Sequence, residues 1–343
     1  MRSNRPTIKD VAKMAGVSFK TVSRVINGQD GVREETRERV LATIADLGYV
    51  VNYSARALAA GHNRTVGVVI PRITDPHTFH LAYHIGELGE KCDCDVIILT
   101  SPSLADKGRA SSFIGHGIIG ALLLIAPISL EPYLPIIEAL SLPAVMAETQ
   151  FVGESGELLP IPIPSVASDN RNGAREGIAH LIGLGHRRIG FIGGRDANQG
   201  RMRLMGYRDA LRDYDIPLTP GYIRPGSWTW ESGYAQANHL LDLPEPPTAI
   251  FCASDNMALG AMRAIKERDL RVPDDVSLLG FDDIPAAAMA DPPLSTVRQP
   301  AEEMMRLAFD LLVREMDGEQ VPPESHMLPT TLVVRSTCAP PPG

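Results

Sequence analysis

The stretch TIKDVAKMAGVSFKTVSRVIN, residues Thr7–Asn27, holds two short helical patterns separated by a glycine. Thr7 can cap the first helix, with Asp10 three residues on completing a capping-box-like pair. Ile8, Val11, Ala12 and Ala15 recur at helical spacing. Gly16 breaks the pattern, and Ser18 can cap a second helix whose inner face carries Val22, Val25 and Ile26. Helix, tight turn and second helix make the unit that places its second helix in the major groove of DNA. The outward face of that helix offers Phe19, Lys20, Thr21, Ser23, Arg24 and Asn27, a set of donors, acceptors and one aromatic suited to base edges and phosphates. A three-helix bundle with a polar surface has the same spacing, so spacing alone leaves both readings open.

Working outward, a third helix spans Glu34–Leu47, with Val40, Leu41, Ile44 and Leu47 as its expected inner stripe, and Gly48 ends it. The segment NYSARALAAG (Asn52–Gly61) reads as an alanine-rich helix too short to be stable alone. From Thr65 the pattern becomes strands alternating with helices. The apolar runs are VGVVI (66–70), DVIIL (95–99), GALLLI (120–125), PAVMA (143–147), RIGFIGG (188–194), TAIFCAS (248–254) and SLLGFDD (277–283). Two successive series of this kind imply two doubly wound α/β subdomains.

Charge supports the division. Residues 1–64 carry 11 Lys and Arg against 6 Asp and Glu, a net of +5, whereas the remainder has 22 against 35, a net of −13. A basic head on an acidic body concentrates phosphate attraction at one end. At 343 residues, 44% hydrophobic content and mean hydropathy near zero, the chain reads as a soluble multidomain protein. No apolar run approaches a membrane span and the basic N-terminus lacks a signal peptide's apolar region, so a cytoplasmic location is expected. Four scattered cysteines do not make a disulfide framework.

The motifs TIKDVA, AGVS and TVSRV resemble the N-terminus of the lactose-repressor (LacI) family, and the likeness runs over residues 6–338. It implies a small all-α helix-turn-helix head at residues 1–50, a hinge helix at 51–62, and an effector-binding and dimerisation body at 63–343. That body would be two doubly wound, periplasmic-binding-protein-like subdomains: about 63–165 with 297–326, and about 166–296 with 327–340. Crossings between them are expected near Ser165–Ser168, Thr296–Arg298 and Met327. The Pro-rich stretch LLPIPIPS (158–165) is longer than the first crossing requires. In the family the hinge folds when two copies pair on DNA, and a leucine, here Leu58 beside Ala55, wedges between base pairs from the minor groove. The DNA-facing set implied is Thr7, Ser18, Phe19, Lys20, Thr21, Ser23, Arg24, Asn27, Tyr49, Asn52, Ala55 and Leu58. The family's serine cap before the third helix is replaced by Arg33.

Doubly wound sheets bind ligands at the carboxyl ends of their strands. Arg203, in RMRLMGYRDAL, matches the family's R-x-x-G-[YW] element and can fork onto two ligand oxygens. Asp282 matches its G-[FY]-D-D, with Asp283 read as structural. Trp228 stands where the family places an aromatic platform, with Trp230 as the alternative. Glu148, Ser254, Gln199, His77 and Phe79 complete the expected effector set. The family's P-F-F after the first strand is replaced by Pro76-His77-Thr78, which removes two aromatics.

Three readings compete with a ligand site. His77, His80 and His84 share one helical face with Cys92 and Cys94 downstream, but no carboxylate spacing supports a metal. The glycines of FIGGRDANQG lack the G-x-G-x-x-G pattern, and no set of nucleophile, base and orienter is present, so neither enzyme nor cofactor is expected. A solute-binding protein would share the body but needs a signal peptide and lacks the basic head. The expected protein is therefore a homodimeric repressor that binds double-stranded, near-palindromic operator DNA and answers to a small effector. A sugar suits Arg, Asp and Trp; a purine acting as corepressor suits them too. The tail STCAPPPG lacks the Leu heptads that make tetramers in the lactose repressor.

Overall fold

The computed structural model describes residues 6–26, 30–49, 63–71, 75–100, 114, 118–127, 129–153, 157–194 and 198–342. Two compact units divide the chain, Met1–Asn63 and Arg64–Gly343. Asn27 and the expected hinge segment with Asn52, Ala55 and Leu58 lie outside the described residues.

In the first unit, α1 (Ile8–Ala15), α2 (Phe19–Ile26) and α3 (Glu34–Leu47) close around Val11, Ala12, Ala15, Val22, Val25 and Val40. The Asp10 carboxylate accepts from the Thr7 amide at 2.8 Å and the Thr7 hydroxyl at 2.7 Å, tying down the start of α1. Gly16 ends α1 at φ 64°, the left-handed region that favours glycine, and so sets the turn into α2. Ser18 caps α2 by accepting from the Thr21 amide at 3.1 Å. Arg39 on α3 donates to the Ala15 carbonyl at 3.1 Å, fastening α3 across the end of α1. Arg33 makes no side-chain cap, as its replacement of serine implies. One expectation is corrected: Leu41 is 51% exposed, and Thr43 takes the buried place, because Val40, Thr43, Ile44 and Leu47 fall on one helical stripe and Leu41 turns away from it.

The second unit contains two six-stranded sheets of matching order. The first-lobe sheet comprises β1 (Thr65–Ile70), β2 (Asp95–Thr100), β3 (Ala121–Ile125), β4 (Ala144–Ala147), β5 (Ser165–Ser168) and β11 (Ser325–Leu328), ordered β11-β5-β4-β3-β1-β2 and parallel throughout. The second-lobe sheet comprises β6 (Ile189–Gly194), β7 (Ile223–Gly226), β8 (Ala249–Cys252), β9 (Ser277–Asp282), β10 (Ser295–Arg298) and β12 (Thr331–Val333), ordered β12-β10-β9-β8-β6-β7. Only β12 runs antiparallel to its neighbour. Strands such as ALLLI are buried along their whole length, which is why they read as continuous apolar runs.

Helices α4 (Pro76–Lys91) and α11 (Ala301–Met316) cover one face of the first sheet, and α5 (Leu134–Leu140) joins a second cluster on it. In the second lobe, α6 (Asn170–Gly183), α7 (Asn198–Asp213), α8 (Trp230–Leu241), α9 (Asp255–Lys266) and α10 (Pro285–Met289) share one core with the strands. The chain crosses between lobes after Ser168, after Arg298 and after Leu328. These are the places expected for the crossings, with β5 and β11 paired in the first sheet and β10 in the second. The stretch before the first crossing forms a hairpin. Val152 bridges Leu158, the Leu159 amide donates to the Phe151 carbonyl at 2.8 Å, and Ile161 and Ile163 return into the first-lobe core.

Candidate functional site

Both sheets reverse their order at equivalent places, between β1 and β3 and between β6 and β8, where open α/β sheets leave a crevice at their carboxyl ends. A cavity of about 330 Å³ occupies that position. Its walls come from chain leaving β1 (Asp75, His77, Thr78), β4 (Glu148), β6 (Gln199, Arg203), β7 (Ser227, Trp228) and β9 (Asp282). Six expected residues therefore meet: His77, Glu148, Gln199, Arg203, Trp228 and Asp282. Four lining residues at strand ends hold φ angles in the left-handed region, Ala126 at 45°, Glu148 at 69°, Trp228 at 66° and Asp282 at 112°. Such backbone costs of order 1–3 kcal/mol each and collects where a site requires it.

The polar groups form one buried network. Arg203, 1% exposed, donates from Nε to Asn170 Oδ1 at 2.7 Å and from Nη1 to the Ala253 carbonyl at 2.5 Å and Asp282 Oδ1 at 3.1 Å. Its guanidinium lies 3.7 Å over the Phe281 ring and 5.6 Å from that of Trp228. Across the cavity His77 Nε2 is 3.1 Å from Glu148 Oε1. Burial alone would lower His77, but the Glu148 carboxylate, then Asp282 and Asp75, lift it to about 10. Burial likewise works to raise Glu148, and charged His77 outweighs it, holding the carboxyl below its ordinary range. Asp282 is pushed up by burial against the opposing pull of Arg203. The amide of Gln299 joins the halves: its nitrogen donates to Asp282 Oδ1 at 2.8 Å and stands 3.0 Å from His77 Nε2, and its oxygen accepts from Ser168 Oγ at 2.5 Å.

Two expected residues are corrected. Ser254 does not line the cavity; it is 2% exposed and caps α9 by accepting from the Met257 amide at 3.3 Å. Phe79 is 61% exposed, because two residues along a helix turn it to the face opposite His77. Between the tryptophans, Trp228 lies on the cavity. Trp230 opens α8 and stacks on Tyr234, ring centroids 5.6 Å apart. Asp283 is held by Arg298 and Arg335, each at 2.6 Å, the structural place read for it. Asp75, Thr78, Ser227 and Gln299 were missed. Asp75 had a signal, since it precedes Pro76 and caps α4 by accepting from the Thr78 amide at 2.9 Å. Gln299 had none, because STVR is too short and polar to read as a strand.

On the head, the outward face of α2 leaves Phe19 49% exposed, with Lys20 and Arg24 also exposed and Thr21 and Ser23 half-buried. Thr7 is exposed, and Tyr49 packs half-buried on the head core. Among the described residues no group of three His, Cys, Asp or Glu side chains could hold a metal ion, and no helix is long and apolar enough to cross a membrane.

Comparison with known proteins addresses both units. Residues 7–52 match the model for bacterial regulatory proteins of the lacI family, and residues 178–338 match a periplasmic binding protein-like domain. The HTH-type transcriptional repressor CytR of Escherichia coli (strain K12) is 35% identical over 334 residues, covering 96% of both chains. Among solved structures, a lac repressor dimer bound to operator and the anti-inducer ONPF aligns with TM-score 0.81 at 31% identity, over 98% of this chain and all of that one. A complex of the regulator CelR with cellobiose aligns with TM-score 0.73 at 33% identity, over 97% and 100%. Helical head, paired doubly wound lobes and near full-length similarity converge: the chain belongs to the lacI family of bacterial regulatory proteins.

Proposed function

We propose that this chain is a ligand-responsive transcriptional repressor of the cytoplasm. It binds a near-palindromic operator as a dimer, through α2 and the segment around Leu58, and changes its operator affinity when a small molecule occupies the cavity between the lobes. The observation that carries the reading is the origin of the cavity wall: His77 and Glu148 come from one lobe, and Arg203, Trp228 and Asp282 from the other. A ligand touching both walls necessarily prefers one lobe arrangement, and only such a preference shifts a distant equilibrium.

An uncharged polyhydroxylated ligand suits the wall. Three carboxylates and the cationic Arg203 and His77 offer acceptors and donors for hydroxyls, and the indole of Trp228 offers a flat face to ring C–H groups. Cellobiose in the related regulator's structure is of this chemistry. The same indole favours a nucleobase as the second reading. Calorimetric titration of the full-length protein with cellobiose, D-glucose and adenosine separates them. Heat from a sugar, lost in Asp282→Asn, supports the first reading; heat from adenosine alone supports the second. In vitro selection of DNA by the same protein should return a near-palindrome, and selection of no preferred sequence would overturn the repressor assignment.

A further inference from the structure

The segment that carries Glu148 out of β4 is unusually uneasy. Glu148 sits at φ 69°, and two residues later Gln150, 5% exposed, has both its amide nitrogen and its amide oxygen buried without a partner. An orphaned buried amide is costly, so this segment does not rest here by its own preference. Contacts from the opposite lobe hold it. In the first turn of α7, Gln199 Nε2 donates to the Glu148 carbonyl at 3.1 Å and to Thr149 Oγ1 at 2.7 Å. One step further, the Arg201 guanidinium forks onto two successive carbonyls, Val152 at 3.1 Å and Gly153 at 2.6 Å. Those carbonyls belong to the last paired residues of the hairpin that the Pro-rich stretch completes, Val152 opposite Leu158 and Gly153 opposite Glu157.

Gln199 lines the cavity; Arg201 does not. We propose that Arg201 is a positioning residue of the effector site. By clamping the first strand of the hairpin across the cleft, it holds the strained Glu148 against His77 and keeps the lobes closed on that edge. The planar fork matters, since a guanidinium satisfies two carbonyls at fixed spacing and an ammonium does not. Releasing the clamp lets the segment relax its left-handed residue and find partners for Gln150, so the element has two arrangements and Arg201 selects one. The inference rests on the reading of the cavity as the effector site, but its test uses no effector, so an empty titration with sugars and adenosine leaves it standing by itself.

The test is acrylamide quenching of Trp228 in the full-length Trp230→Phe protein, where Trp228 is the one remaining indole. Arg201→Met should raise the quenching constant toward that of a solvent-exposed indole while the melting temperature stays within that of the parent protein's second lobe. Arg201→Lys should fall between the two. Arg201→Gln, too short to reach both carbonyls, carries the same expectation as Arg201→Met and decides the matter should the methionine variant fail to fold. Quenching equal to the parent's in a folded Met or Gln variant would overturn the proposal.

Discussion

At the scale of single residues, the site is governed by buried charges that cannot be left alone. Arg203 looked in sequence like a ligand fork at a helix start. In the fold it is also the hub that satisfies Asn170, the Ala253 carbonyl and Asp282 while stacking on Phe281. Removing one partner of a buried ion pair typically costs about 3–5 kcal/mol, because the other charge stays buried without compensation. Arg203→Ala should therefore lower stability by about that amount, read as a fall in the urea midpoint of the second lobe, and not merely silence the effector response. A variant as stable as the parent would show that Asp282 is not ionised there. The His77–Glu148 pair gives a prediction with a sign. His77 is raised from 6.5 to about 10, so its stabilisation is complete below pH 6.5 and is lost as pH rises through 10. Glu148 is lowered, so its share is present above 4.5 and is lost as pH falls below that. The stability difference between the parent and Glu148→Gln should be largest between these limits and shrink as pH climbs from 6.5 to 10. A difference independent of pH would mean that His77 is not charged by this partner.

Among elements, strand ends place the chemistry and backbone proximity shapes it. Gly194 closes β6, and a Cβ there would stand 2.7 Å from Nε1 of the Trp228 indole. Gly194→Ala should push the indole out of place, at a cost of roughly 1–3 kcal/mol in ligand affinity, with operator binding in the absence of ligand unchanged. Calorimetry on the bound sugar or nucleoside measures the first, and DNA titration the second. On α2, exposed Arg24 lies on the outward face beside Lys20. Arg24→Ala should cost about 1–3 kcal/mol on the selected operator and relax preference at one base position per half-site. Uniform weakening across operator variants would reduce Arg24 to a phosphate contact. The elements differed in how openly the sequence declared them. Six of the seven apolar runs are strands buried on both faces of a parallel sheet, the seventh, DVIIL, lies at a sheet edge and is only partly covered, and the helices of the head announce themselves through Ser18, Gly16 and Gly48. The strands IRPG, STVR and SHML carry Arg, Pro, Ser or His in short runs, so only their pairing in the fold identifies them. Gln299, at the end of one of them, was hidden for the same reason.

For the whole molecule, the division of charge and the two series of strands and helices were legible in the sequence, and so were six of the residues lining the cavity. The displaced residues, Ser254 and Phe79, were misplaced because position after a strand does not say which way a side chain turns. Ser254 spends its hydroxyl on a helix cap, and Phe79 faces away from the cavity wall that His77 occupies. Cross-lobe contacts such as Gln199 to Glu148 and Gln299 to His77 join residues far apart in the chain, which no local pattern encodes. On the proposed function, what fills the cavity between the lobes changes how the head holds DNA. Its most direct test is the affinity of the full-length protein for its selected operator, measured by fluorescence anisotropy with and without the compound that calorimetry places in the cavity. The expected result is a shift of roughly 5–150-fold, the range of a coupling of about 1–3 kcal/mol, that disappears when Asp282→Asn removes binding. An operator affinity unmoved by a compound that demonstrably fills the cavity would contradict it.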